Sequence, residues 1–197
     1  YVKFGFWLYN DFSNSTKTLT HVDNALGNLL DEDRLFMEHA VHVVEHFRTP
    51  FWLSTHTDDP RYQETVNNIF RKLEIQTTPT EALVNDTKIR ERVVGNYGSS
   101  YLPYEYCTLT ELAFSYASAY QKFNKPELGD KIETLVFNAG QGARFPDGKA
   151  NRYSTIDNQL TSTNEENFRD QYAACHRVAC CNLEAAKLMP YYISHMW

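Results

Sequence analysis

The chain has 197 residues and a mass of 22.9 kDa, room for one domain with a core of its own. With 42% hydrophobic and 22% charged residues its usage is ordinary for a globular protein, which argues against disorder. A formal charge of −6 leaves no basic footprint for nucleic acid, and no apolar run approaches the roughly 18 residues of a membrane span.

Taken in chain order, Tyr1–Tyr9 is apolar and suits either a helix or a strand. It has no basic segment ahead of a long apolar core, so no signal peptide is expected there. Glu32–Phe47 is predicted as a helix, with Met37, Val41 and Val44 on one side. Pro60–Ile75 follows, with Tyr62, Val66, Ile69 and Leu73 forming a stripe at helical spacing. Thr77–Tyr106 has turn residues and little periodicity. Leu109–Phe123 carries a second stripe (Leu112, Tyr116, Tyr120, Phe123), and Glu127–Ala139 reads as the next helix. Gly140–Asn167 is rich in Gly, Asn, Asp, Ser and Thr, with a short hairpin expected around Pro146-Asp147-Gly148. Leu183–His195 is the last predicted helix.

The joints Asp59-Pro60-Arg61-Tyr62 and Lys125-Pro126-Glu127-Leu128 resemble each other, each placing Pro at a helix start after polar residues. Repeated helical hairpins predict an all-α fold, and such hairpins in a ring make an (α/α) barrel. Only 8 glycines accompany 13 Tyr, 12 Phe and 3 Trp, which leans helical and fits either a ring-binding pocket or an aromatic core. Asn14-Ser15-Thr16 and Asn85-Asp86-Thr87 match the glycosylation sequon, a tripeptide common by chance.

Chemistry concentrates on cysteines 107, 175, 180 and 181. The adjacent pair Cys180-Cys181 is a poor disulfide, because the ring it closes strains the peptide between them. That leaves a metal, a reactive thiolate or two buried thiols packed as small hydrophobes. Thr108-Leu109-Thr110-Glu111 reads as a capping box, which places Glu105 and Cys107 on the approach to a helix. Asn182 reads as a second N-cap, which places Cys180 and Cys181 just before another. One carboxylate and three thiolates there would suit tetrahedral zinc. A rival metal face is His39, His42 and His46 on the helix predicted over Glu32–Phe47. Thiolate ligands survive best in a reducing cytoplasm, whereas a lost leader would allow export to the periplasm or beyond.

The segments Tyr104-Glu105-Tyr106-Cys107-Thr108-Leu109-Thr110-Glu111-Leu112, Glu133-Thr134-Leu135-Val136-Phe137-Asn138-Ala139, Ala179-Cys180-Cys181-Asn182 and Pro190-Tyr191-Tyr192-Ile193-Ser194-His195-Met196-Trp197 together resemble the β-L-arabinofuranosidases of glycoside hydrolase family 127 and their relatives. Leu35–Phe47, with Glu38-His39-Ala40-Val41, is similar to the family's upstream helix. The resemblance implies an (α/α)6 barrel, of which 197 residues would be an incomplete, C-terminal portion of a longer chain. It implies Zn2+ held by Glu105, Cys107, Cys180 and Cys181, with Cys180 as nucleophile of a retaining glycosidase and His39, Glu133 and Tyr153 contacting the sugar. The substrate implied is a plant-type glycan bearing L-arabinofuranose or a related pentose.

The sequence departs from the family at the acid/base. Glu91 is the only glutamate between Asn85 and Tyr104, and its setting, Ile89-Arg90-Glu91-Arg92, does not reproduce the family's motif. Flanking arginines would favour its ionised form. Thr87 is the position most like the missing carboxylate and cannot transfer that proton. The alternatives are therefore a degenerate, zinc-stapled sugar-binding barrel, or a thiol redox protein using Cys180 and Cys181.

Overall fold

A computed structural model describes residues 1–15, 22–86, 90–95, 102–157, 171–175 and 178–196. Helices dominate: α1 (Val2–Ser13), α2 (Leu26–Leu30), α3 (Ala40–His46), α4 (Arg48–Ser54), α5 (Pro60–Gln76), α6 (Tyr106–Phe123), α7 (Glu127–Thr134) and α8 (Cys180–Met196). Among the described residues four strands of two residues each, β1 (Asn85–Asp86), β2 (Arg92–Val93), β3 (Tyr104–Glu105) and β4 (Ser154–Thr155), form two antiparallel ribbons, β1–β2 and β3–β4. Among the described residues no helix is long and apolar enough to cross a membrane.

The α5 helix follows its sequence closely. Asp59 caps it by accepting from the Arg61 amide at 3.0 Å, Pro60 occupies the first turn, and Tyr62, Val66, Ile69 and Leu73 are buried. Burying each such side chain contributes roughly 1.5–3 kcal/mol. At the second joint the cap position itself is Pro126, without a side-chain hydrogen bond, and α7 begins at Glu127. The main core gathers α3, α5, α6, α7 and α8, with a smaller cluster of Tyr9, Leu53 and Tyr62 beside α1.

The helix predicted over Glu32–Phe47 is half extended chain. Asp31 turns the backbone by accepting from the Asp33 and Arg34 amides. Gln76 takes both backbone groups of Phe36 at 3.0 Å, and buried Asp23 accepts from the Met37 and Glu38 amides at 2.6 and 2.7 Å. Only Ala40–His46 is helical, and the chain turns into α4 at Phe47. Pro50 accounts for that corner, since it cannot donate to the His46 carbonyl and its ring would strike it. The ambiguous Tyr1–Tyr9 segment is helical.

Lys72 and Asn68 on α5 reach across to close the C-terminal end of α2. Lys72 Nζ donates to the Asn28 and Leu29 carbonyls at 2.9 and 3.4 Å, and Asn68 Nδ2 to those of Leu29 and Leu30. Burial pushes the Lys72 ammonium down to about 8. The unfolded chain, with lysine near its ordinary value of about 10.4, binds more protons across that interval, so this group's opposition to folding lifts as pH rises through it. Denaturant titrations should therefore show the parent gaining stability relative to Lys72→Met between pH 8 and 10. Parallel profiles would contradict the burial argument.

The helix predicted over Glu127–Ala139 runs on to Gly142, and within it Leu135–Gly140 are π-helical. A Cβ on Gly140 would lie 2.6 Å from Leu188 Cδ2, so this glycine lets the π segment lie against α8. Displacing buried Leu188 costs roughly 1–3 kcal/mol, partly offset by about 1 kcal/mol of helix propensity. Gly140→Ala should thus lower stability by about 1 kcal/mol in thermal or denaturant unfolding. The expected hairpin is present: Phe145 donates to the Ala150 carbonyl at 2.9 Å, and Gly148 adopts φ +72°. Residues 158–167 of that loop, Thr16, Thr87 and Trp197 lie outside the described residues.

Candidate metal and catalytic site

Both predicted caps lie elsewhere than expected. The α6 helix starts at Tyr106, with Glu105 as cap residue, because the Tyr106 amide is already satisfied by the Tyr153 carbonyl at 2.9 Å. Thr108 is buried inside the first turn, and Glu111 pairs with Arg48 at 2.7 Å. Likewise α8 starts at Cys180, and Asn182 donates its side-chain amide to Asn151 Oδ1 and the Ala173 carbonyl. The cysteines thus sit in the first turns of α6 and α8, where unpaired amides and the helix dipole favour negative charge.

These two helix starts converge. One ligand atom each from Glu105, Cys107, Cys180 and Cys181 lies within 4.8 Å of every other. Cys107 Sγ is 3.2 Å from Cys181 Sγ, which is 3.5 Å from Glu105 Oε1. Cys107, Cys181 and Glu105 are buried, and Cys180 is half-buried. Cys175 is exposed.

Three thiols and a carboxylate in so small a volume cannot all ionise unaided. Hydrogen bonding with Cys107 and Cys181, and then with Tyr153, holds the Cys180 thiol far below its usual range. Hydrogen bonding to Cys180 and Cys181, together with burial, pushes Cys107 up, and burial does the same for Cys181. Burial, then the neighbouring Glu91 charge, raises Glu105 to about 7. Glu105 Oε2 is buried and has no hydrogen-bond partner among the described residues. A donor set of three sulfurs and one carboxylate, with an orphaned oxygen among them, fits a thiophilic divalent cation such as zinc.

Glu105 also belongs to a second group. His39 Nε2 lies 3.7 Å from Glu91 Oε2 and 3.9 Å from Glu105 Oε2. Residues 38–40 and 91–93 pair, through Ala40 N to Glu91 O at 3.0 Å and Val93 N to Glu38 O at 2.9 Å. This pairing presents His39 beside Glu91, whose φ is +57°. Of the two flanking arginines, Arg92 pairs with Glu38 at 3.4 Å. Instead Tyr153 Oη donates to Glu91 Oε1 at 2.7 Å, and Cys180 Sγ is 3.9 Å from the same hydroxyl. Tyr153 therefore bridges nucleophile candidate and carboxylate.

One expectation needs correction, and one expected sugar contact lies apart from the cluster. The rival metal face does not assemble: the rings of His39, His42 and His46 stack in a column, and only His39 joins a potential ligand group among the described residues. Glu133 is not brought to the cluster. It is exposed on α7 and accepts from Tyr192 Oη at 3.0 Å. Tyr192 lies twelve residues beyond Cys180 on α8, about 18 Å at 1.5 Å per residue. The start of α7 packs by the far end of α8, with Gly129 beside Met196, which fixes that separation. Asn85 of the second sequon is fully buried and offers no glycan acceptor.

Nothing in the local pattern points to Asp23, whose clamp on the Met37 and Glu38 amides sets the extended segment that leads to His39. An acidic residue in a polar stretch resembles any surface aspartate until its distant partners are placed.

No family model matches the chain, and no curated protein matches it in sequence. Among solved structures it is similar to a GH127 β-arabinofuranosidase, with a TM-score of 0.74 and 15% identity over 98% of this chain and 30% of that one. It is also similar to a GH127 β-L-arabinofuranosidase from Geobacillus stearothermophilus T6, with a TM-score of 0.68 and 14% identity over 84% of this chain and 27% of that one. The chain spans less than a third of either neighbour's length. Its helical fold is that of a segment of these GH127 glycoside hydrolases.

Proposed function

We propose that this chain is part of the catalytic (α/α) barrel of a zinc-dependent retaining glycosidase that releases β-L-arabinofuranose or a related pentose from glycans. The observation that carries the reading is the convergence of Glu105, Cys107, Cys180 and Cys181 within 4.8 Å, with Tyr153 linking Cys180 to Glu91. Cys180 is the half-buried sulfur of the set and so the one open to a substrate. The likeness to the two arabinofuranosidases supports the choice of sugar.

In this mechanism Cys180 Sγ attacks the anomeric carbon as the glycosidic C–O bond breaks, and Glu91 delivers a proton to the departing oxygen. In the second step Glu91 takes a proton from water, whose oxygen forms the new C–O bond while the C–S bond breaks and the thiolate returns. Two inversions give net retention. Links of 3.9 and 2.7 Å through one hydroxyl tie Sγ and Oε1 to the same Tyr153 side chain, as a nucleophile and its acid/base partner at one anomeric centre require. His39 and Tyr153 would orient the sugar and the two reacting groups. Zinc held by Glu105, Cys107, Cys180 and Cys181 would keep the sulfur deprotonated and ease its departure.

The test is hydrolysis of an aryl β-L-arabinofuranoside by the zinc-loaded chain, with the first-formed anomer read by NMR. Release of the β-anomer is expected. Inversion would contradict the assignment of Cys180 as nucleophile, and zinc binding without hydrolysis would favour a sugar-binding barrel stapled by metal.

A further inference from the structure

The β3–β4 ribbon has a second face. Tyr104 pairs with Thr155 and Glu105 with Ser154, and alternate residues of a strand point oppositely. Glu105 faces the thiol cluster, so Tyr104 and Thr155 face away from it, into a cavity of about 620 Å³. This lies within the size range of small-molecule sites, roughly 300–1,000 Å³. Its opposite wall is the π segment, which presents Phe137 and Asn138, and Tyr172 and Arg152 close the side. π-Helical turns re-aim side chains and occur frequently at functional sites.

We propose that this cavity is a second saccharide site, taking a neutral sugar ring on the face of the ribbon opposite the cluster. Phe137 and Tyr172 are aromatic surfaces exposed to 48% and 39%, and both are held in place. Phe137 meets Tyr192 edge-on at 5.2 Å, and Tyr172 lies against Phe145 and beneath the Arg152 guanidinium. Fixed aromatic rings suit the apolar C–H face of a sugar, while its hydroxyls need several polar partners around the rim. Asp157 supplies one. Its Oδ1 accepts from Thr80 and Tyr104 at 2.6 and 3.0 Å, and its Oδ2 is buried without a hydrogen-bond partner among the described residues, an unmet acceptor in the cavity wall. Asn138 and Thr155 add an amide and a hydroxyl. The wall carries one guanidinium and one carboxylate, Arg152 and Asp157, whose charges offset each other and leave an uncharged polyol favoured.

This assignment stands apart from the chemistry of the cluster, and it is read on the metal-free chain without turnover. Titration with L-arabinose should shift the ring NMR signals of Phe137 and Tyr172. Asp157→Asn, which keeps an acceptor for Thr80 and Tyr104, should move that midpoint to about tenfold higher sugar, as loss of one charge-assisted hydrogen bond implies. Asn138→Ala, on an exposed position, should weaken binding in the same direction, and Cys180→Ser should leave the midpoint unchanged. The proposal is overturned if the sugar shifts no signal of these two rings, if both cavity variants keep the parent midpoint and melting temperature, or if inorganic phosphate binds there and arabinose does not.

Discussion

Cys180→Ser is expected to lower kcat/KM for an aryl β-L-arabinofuranoside by on the order of 10⁴-fold or more, the scale of losing a covalent nucleophile. A serine hydroxyl at that position would remain protonated at neutral pH. The three remaining ligands, Glu105, Cys107 and Cys181, lie within 4.8 Å of one another and can still hold a metal, so the variant separates chemistry from metal retention. Cys175→Ser is the control, since that residue is exposed. Selective alkylation should tell the same story: Cys180 is half-buried and its thiol is held far below the usual range, whereas Cys107 and Cys181 are buried and pushed up. A Cys180→Ser chain that retains activity within tenfold of the parent would remove cysteine from the mechanism.

Glu91→Gln is expected to cost roughly 10²–10⁴-fold with alkyl glycosides, the usual contribution of general acid–base catalysis. With aryl glycosides the first step needs little protonation, so the loss should fall on the second step and leave a glycosylated Cys180 to accumulate. Azide, which needs no general base, should then restore turnover and yield the β-glycosyl azide. The same substitution keeps an acceptor for Tyr153 and leaves Glu105 and the cysteines in place, so metal content should not change. If alkyl and aryl substrates lose equally, or azide restores nothing, Glu91 does not move the proton. In the parent Arg92 pairs with Glu38, while Glu91 meets Tyr153 and His39.

How much of this was legible in the sequence depended on range. Helix α5 was readable from its own residues, because its cap, first-turn proline and buried stripe are all local. The late start of α3 was not, since residues 31–38 are held extended by Asp23 and Gln76, partners far away in sequence. The two cap assignments failed for a related reason. Local pattern offered Thr108 and Asn182, but tertiary contacts had already satisfied the helix starts: the Tyr153 carbonyl meets Tyr106, and Asn151 engages Asn182. The cysteine and carboxylate set was visible as motifs, and the structure brings all four residues together. Glu133 matched a motif equally well, yet α7 carries it to the far end of α8, which spacing along one helix cannot foretell. Glu91 looked unsuited to acid–base work because of its arginine neighbours, and a left-handed backbone turns it toward Tyr153 and His39 instead.

The central claim is that the three sulfurs and Glu105 form one metal centre in which Cys180 is a ligand. X-ray absorption at the zinc edge of the zinc-loaded chain addresses it directly. The account predicts one zinc per chain with three sulfurs at about 2.3 Å and one oxygen at about 2.0–2.2 Å, falling to two sulfurs in Cys180→Ser. A shell of nitrogen and oxygen alone, or a sulfur count unchanged in Cys180→Ser, would contradict it.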